Sequence, residues 1–211
     1  MRAGEGPWGW TYDVGFTLTL TFETAPDVVL ANYRADLEEV RLLTRTEALR
    51  DVPPRPGGSQ LRVGQVDSWT VCFEEFGTHG TRSDLMAALS FGSESFSYSA
   101  GYGMKLFQYY RAGRRIESFE RGMPSTLRGE GPHRFWIATA ENGGQPELAI
   151  TSQTGISVPI EFLDGPMLTA WVGDPHIISN PPTAKMPNMT PLGGIAPPGQ
   201  TPTTRPPAPG A

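Results

Sequence analysis

Strict alternation marks the clearest element of this chain. Between Gly15 and Phe22 the apolar residues Phe16, Leu18, Leu20 and Phe22 share one face, and Thr17, Thr19 and Thr21 share the other. Such a period-2 pattern is a strand packed on one side and wet or half-covered on the other. Thr24-Ala-Pro-Asp27 then starts a helix, with Thr24 as N-cap, Pro26 in the first turn and Asp27 against the helix dipole. Val28, Val29, Ala31, Asn32 and Ala35 give this helix a mostly apolar stripe. Val40, Leu42 and Leu43 fit either a continued helix or a short strand. Thr44-Arg-Thr-Glu47 is a capping-box pattern and predicts a short helix over 45–51, stopped by Pro53 and Pro54.

Two strands follow, near 61–66 and 68–76; in the second, Trp69, Val71 and Phe73 oppose Cys72 and Glu74. Ser83 caps a helix that turns Leu85, Met86 and Leu89 inward. Three further strands are predicted at 93–99, 104–111 and 114–121, the last two joined by a tight Ala112-Gly113 turn in which glycine supplies the positive φ. Beyond Gly122 the period becomes helical, giving short helices over 132–140, 146–152, 158–163 and 165–171. This order is not an alternating βαβα series. It predicts an α+β domain, an antiparallel sheet of about five to six strands with helices packed mainly on one face.

Composition changes the picture at the ends. Every aromatic residue lies at or before Trp171, the last acidic residue is Asp174, and 11 of the 37 residues from Pro175 onward are proline. Such a stretch buries too little apolar surface to offset its ordering entropy. The expected organisation is therefore a flexible arm over 1–13, a single domain over 14–174 and a disordered proline-rich tail over 175–211. One cysteine, Cys72, leaves no internal disulfide and fits a reducing compartment. With no basic-then-apolar leader and no long apolar run, the expectation is a cytoplasmic protein with no membrane partner. A net charge of −5, with Arg111, Arg114 and Arg115 as the one basic cluster, argues against nucleic acid.

The segment Val63-Gly-Gln-Val-Asp-Ser-Trp69, followed by Cys72-Phe-Glu-Glu75, Gly77, Arg82-Ser-Asp-Leu85 and Leu89-Ser90, resembles an actinobacterial family known as a domain of unknown function, number 6461. Phe119, Pro124, Arg128, Gly129, Pro132 and Leu163-Asp-Gly-Pro-Met-Leu168 extend the resemblance over about 14–172. It implies a bacterial intracellular protein and supplies no catalytic residues.

The remaining candidates for chemistry are scattered. Gly4-Glu-Gly-Pro-Trp-Gly9 has the spacing of a dinucleotide loop, but nothing before it forms the required strand and Pro7 and Gly9 open no helix. His79, His133 and His176 share no metal-binding spacing, and Cys72 beside Glu74 and Glu75 lacks the cation that activates a thiol. No cofactor, metal or catalytic residue is expected. The alternating Ser93, Ser95, Ser97 and Ser99 read as a solvated strand face. The one unusual concentration is aromatic, and with the arginines of the hairpin it nominates Tyr102, Tyr109, Arg111, Arg114 and Arg115 as a partner-binding surface.

These residues point to a non-enzymatic protein-interaction module, of immunity or regulatory type, with a protein partner. A small-molecule binder or enzyme, with a cleft between sheet and C-terminal helices lined by Glu74, His133 or Asp164, is the alternative. An adaptor acting through its proline-rich tail is a third.

Overall fold

The alternating segment Phe16–Phe22 forms a strand at the centre of a nine-stranded sheet. The computed structural model of the chain describes residues 8–12, 15–75, 77–101 and 103–174. Among them the strands are β1 (Phe16–Phe22), β2 (Arg41–Leu43), β3 (Gly58–Val66), β4 (Trp69–Glu75), β5 (Glu94–Gly101), β6 (Met104–Arg111), β7 (Arg114–Glu120), β8 (Met123–Gly129) and β9 (Met167–Gly173). The helices are α1 (Pro26–Asn32), α2 (Arg45–Asp51), α3 (Ser83–Leu89), α4 (Arg134–Glu141), α5 (Pro146–Thr154) and α6 (Ile160–Asp164), with 3-10 turns at Gly9–Tyr12 and His79–Thr81. The sheet runs β2-β9-β3-β4-β1-β5-β6-β7-β8, antiparallel throughout.

The α+β class is as expected, but two features are corrected. The sheet has nine strands rather than five to six, and helices cover both of its faces rather than mainly one. Phe16, Leu18 and Leu20 join Phe73, Phe96, Tyr98 and Phe107 in an aromatic core under α4, α5 and α6, which contribute Phe135, Ile150 and Leu163. On the other face α1 and α3 lay Val29, Leu30, Leu85, Met86 and Leu89 against Leu61, Val63 and Cys72. Thr17, Thr19 and Thr21 are therefore buried rather than wet, and so are Ser95 and Ser97. Much of this polar wall tolerates burial because its hydroxyls find local partners. Thr17 donates to the Gly77 carbonyl (2.8 Å) and Ser95 to Thr21 Oγ1 (3.2 Å).

Of the three additional strands, β2 contains Leu42 and Leu43, which fitted a short strand as well as a helix, and the other two lacked a legible pattern. The helix predicted over 165–171 is instead a strand, β9, over Met167–Gly173, inserted between β2 and β3. Its Met167, Thr169, Ala170 and Val172 are all buried, and a strand covered on both faces has no alternation to display. Arg62 of β3 fastens this region from inside: fully buried, it donates to the carbonyls of Leu163, Leu43 and Gly165, which join α6, β2 and the start of β9. Burial lowers its pKa to about 10. β8 is a mostly exposed edge strand containing Pro124, which has no N–H to offer a ladder. Arg128 folds back onto the Ser125 and Leu127 carbonyls at 2.7 and 2.8 Å.

Part of the stretch expected as an N-terminal arm belongs to the core. Trp8 and Trp10 are buried, and Trp10 Nε1 donates to the Val158 carbonyl at 2.7 Å. Residues 1–7 and 13–14, and the tail expected over 175–211, lie outside the described residues. Among the described residues no helix is long and apolar enough to cross a membrane.

Candidate functional site

The turn between β6 and β7 is tight because both of its central residues are left-handed, Ala112 at φ 50° and Gly113 at φ 75°. Its backbone is pinned to the end of α3: the Ala112 N–H donates to the Ser93 carbonyl (3.0 Å) and the Gly113 N–H to Ser90 Oγ (3.2 Å). This contact sets Phe91, 83% exposed, beside the hairpin tip, where its ring lies 3.9 Å from the position a Gly113 Cβ would take. Arg111, Arg114 and Arg115 are exposed on the same tip, and among the described residues none enters an ion pair.

A bulge between Tyr109 and Tyr110 pairs Arg111 with Arg114 and Tyr110 with Arg115. Arg111 and Arg114 consequently stand on the α4 side of the sheet and Arg115 on the α3 side. Of the aromatics nominated from sequence, Tyr109 is buried, stacked on Phe96 with centroids 5.0 Å apart. Tyr102 lies outside the described residues. The exposed aromatic at this end is Phe91, which the sequence reading passed over; its one signal was a bulky residue directly after a helix and before Gly92.

Beneath the hairpin, on its α4 side, four polar groups converge. Tyr109 Oη donates to Glu94 Oε2 (2.7 Å), and Arg134 Nη2 donates to Tyr109 Oη (3.1 Å) and stands 3.6 Å from Glu94 Oε2. The Arg134 guanidinium lies over the Tyr109 and Phe135 rings at 4.9 and 4.8 Å. Burial first, and then the Glu94 carboxylate, push the Tyr109 phenol up to about 12. The fourth group, Glu117, is the cross-strand partner of Tyr109 and accepts from the Phe135 and Trp136 N–H groups at 3.2 and 2.6 Å. It thus satisfies the first turn of α4 from the sheet, a task His133, at φ 46° with no side-chain bond to the turn, leaves undone. Burial pushes Glu117 above the usual carboxylate range, against the pull of those two N–H groups.

A second cluster is sealed under α1 and the 3-10 turn His79–Thr81. Glu74 accepts from the His79 and Gly80 N–H groups (2.8 and 2.6 Å) and from Tyr33 Oη (3.3 Å), and Tyr33 Oη also meets Thr19 Oγ1 at 2.8 Å. Burial raises the pKa of Glu74, Tyr33 and Cys72 together. A thiol held in its protonated form is not an activated nucleophile, and Glu74 has no exposed surface. The geometry is that of an internal tie between sheet and turn.

The residues proposed to line a cleft do not meet. Glu74 lies under the α1 and α3 layer, His133 opens α4 on the opposite face, and Asp164 is exposed beside Arg45 at 3.4 Å. Among the described residues, no group of three or more His, Cys, Asp or Glu is placed to hold a metal ion. In comparisons with known proteins, a model of the Family of unknown function (DUF6461) matches residues 8–148, a span that begins at Trp8 and takes in the hairpin and all of α4. Neither the curated proteins nor the solved structures gave a match.

Proposed function

Because the chain belongs to that family of unknown function, we propose its role from its own surface: a protein-interaction module of regulatory or immunity type whose contact is the β6–β7 hairpin end. The observation that carries this reading is Phe91, 83% exposed, beside Arg111, Arg114 and Arg115 on a chain of net charge −5. An exposed aromatic with arginines on the neighbouring hairpin is the composition of an interface hot spot. A local basic end on an acidic molecule also orients an incoming partner before contact. The hairpin is rigid enough for the task, since its tip is bonded to Ser90 and Ser93.

The experiment is capture of a partner from the native host by the wild-type chain and by variants. Arg114→Glu with Arg115→Glu is expected to abolish capture, and Phe91→Ser to weaken it, with melting temperatures unchanged. Capture that survives all three substitutions removes the hairpin as the contact.

A further inference from the structure

We propose that the α4 side of the β6–β7 hairpin, beside Arg134, receives an acidic side chain of the partner protein, and that Glu94 occupies this place in the free chain. The inference rests on the reading of the hairpin end as the contact. Glu94 begins β5, and its cross-strand partner is Arg111, which in turn pairs with Arg114 on β7. Neighbouring strands set such partners side by side on one face. From the helix layer comes Arg134, the first residue of α4, its guanidinium 4.9 and 4.8 Å from the Tyr109 and Phe135 ring centroids. The Glu94 carboxylate therefore meets Tyr109 Oη and stands 3.6 Å from Arg134, with Arg111 on the neighbouring strand and Arg114 one strand further on the same face.

It satisfies these groups incompletely. Its one short bond is to Tyr109 at 2.7 Å; the approach to Arg134, 3.6 Å, is longer than a hydrogen bond, and it forms no ion pair with Arg111. Arg134 Nε is buried with no partner in the protein. A guanidinium presents a planar fork suited to two-point binding of a carboxylate, and here the forks of Arg111, Arg114 and Arg134 keep most of their donors free of any protein carboxylate. A Glu or Asp on an exposed loop of the partner supplies the missing acceptor, displacing Glu94 from beneath the arginines, while Phe91 gives the same partner an apolar contact. Glu94 thereby acts as an internal competitor that sets a threshold for binding.

The test is fluorescence anisotropy with a labelled oligoglutamate peptide, oligolysine serving as the control. Glu94→Gln keeps an acceptor for Tyr109 and removes the competing charge, so it is expected to bind oligoglutamate about three- to fivefold more tightly than wild type, the reach of one partly exposed charge pair. Arg134→Met, which keeps an apolar stem over Tyr109, is expected to weaken binding with little change in melting temperature, and added salt to weaken it in every variant. Equal or weaker binding by Glu94→Gln, or no oligoglutamate binding by either protein, overturns the proposal. Binding that Arg111→Glu with Arg114→Glu abolishes but Glu94→Gln leaves unchanged removes the role of Glu94 and spares the hairpin reading. Host-partner capture indifferent to Arg114→Glu, Arg115→Glu and Phe91→Ser removes the hairpin reading itself.

Discussion

Ala112 holds a left-handed backbone at φ 50° without the freedom of glycine or the local hydrogen bonding of asparagine. Ala112→Asn is therefore expected to stabilise the fold by about 0.5–1 kcal/mol, read as a higher urea midpoint. Gly80 is the opposite case, because a Cβ there meets Tyr33 Oη at 2.8 Å and Glu74 Oε1 at 2.9 Å. Gly80→Ala should cost about 1–3 kcal/mol as the turn is pushed off the sheet. Glu74 also makes stability depend on pH. Its pKa is raised above 4.5 in the fold, so the folded state binds the proton more tightly than the unfolded chain. That contribution is present in full below the unfolded value and is lost as pH rises through the folded one. Wild type should accordingly gain stability over Glu74→Gln when urea unfolding is compared at about pH 7 and about pH 5. A wild type that loses stability relative to Glu74→Gln on acidification contradicts this account.

Among the elements, α2 and α4 show two ways of starting a helix. α2 carries its start in its own sequence: the Thr44 hydroxyl accepts from the Glu47 N–H, and Glu47 reaches back to the Thr44 N–H at 2.9 Å. Thr44→Ala is expected to cost about 1 kcal/mol, measurable by thermal unfolding. α4 borrows its start from Glu117, 18 residues from Phe135 along the chain, and no local motif announces a cap supplied across the sheet. Glu117→Ala should leave the Phe135 and Trp136 N–H groups unbonded, and hydrogen exchange there should accelerate more than in α5. The Thr44–Glu47 box, the alternation of β1 and the β6–β7 turn were readable because each is made by neighbours in sequence. Thr24 and Ser83 looked like caps, yet neither side chain caps its helix, and Thr24 Oγ1 bonds the Phe22 carbonyl instead. Arg134 reaches Tyr109 and Glu94 only through tertiary contacts, so spacing could not assemble them.

Across the whole molecule the sheet is a partition between two unlike layers. One is aromatic, built on Phe16, Phe73, Phe96, Phe107 and Phe119 under α4 to α6; the other mixes hydroxyl and apolar residues beneath α1 and α3. Alternation in β1 told the two faces apart but could not say that the hydroxyl face is roofed, since Thr17 and Thr19 read alike in water or against one another. Of the tyrosines nominated for an exposed surface, Tyr109 belongs to the lining of the first layer, with the buried Tyr98 and Phe107.

The place of β9 bears on how the protein is made. It follows every other described strand along the chain, yet it lies between β2 and β3, three registered pairs on one side and six on the other. During synthesis β3 must wait, one flank bare, until the ribosome has delivered residues 167–173. Until then β2, only three residues long, has no neighbour to hold it. A nascent chain halted before Met167 would present an open template for unwanted strand pairing.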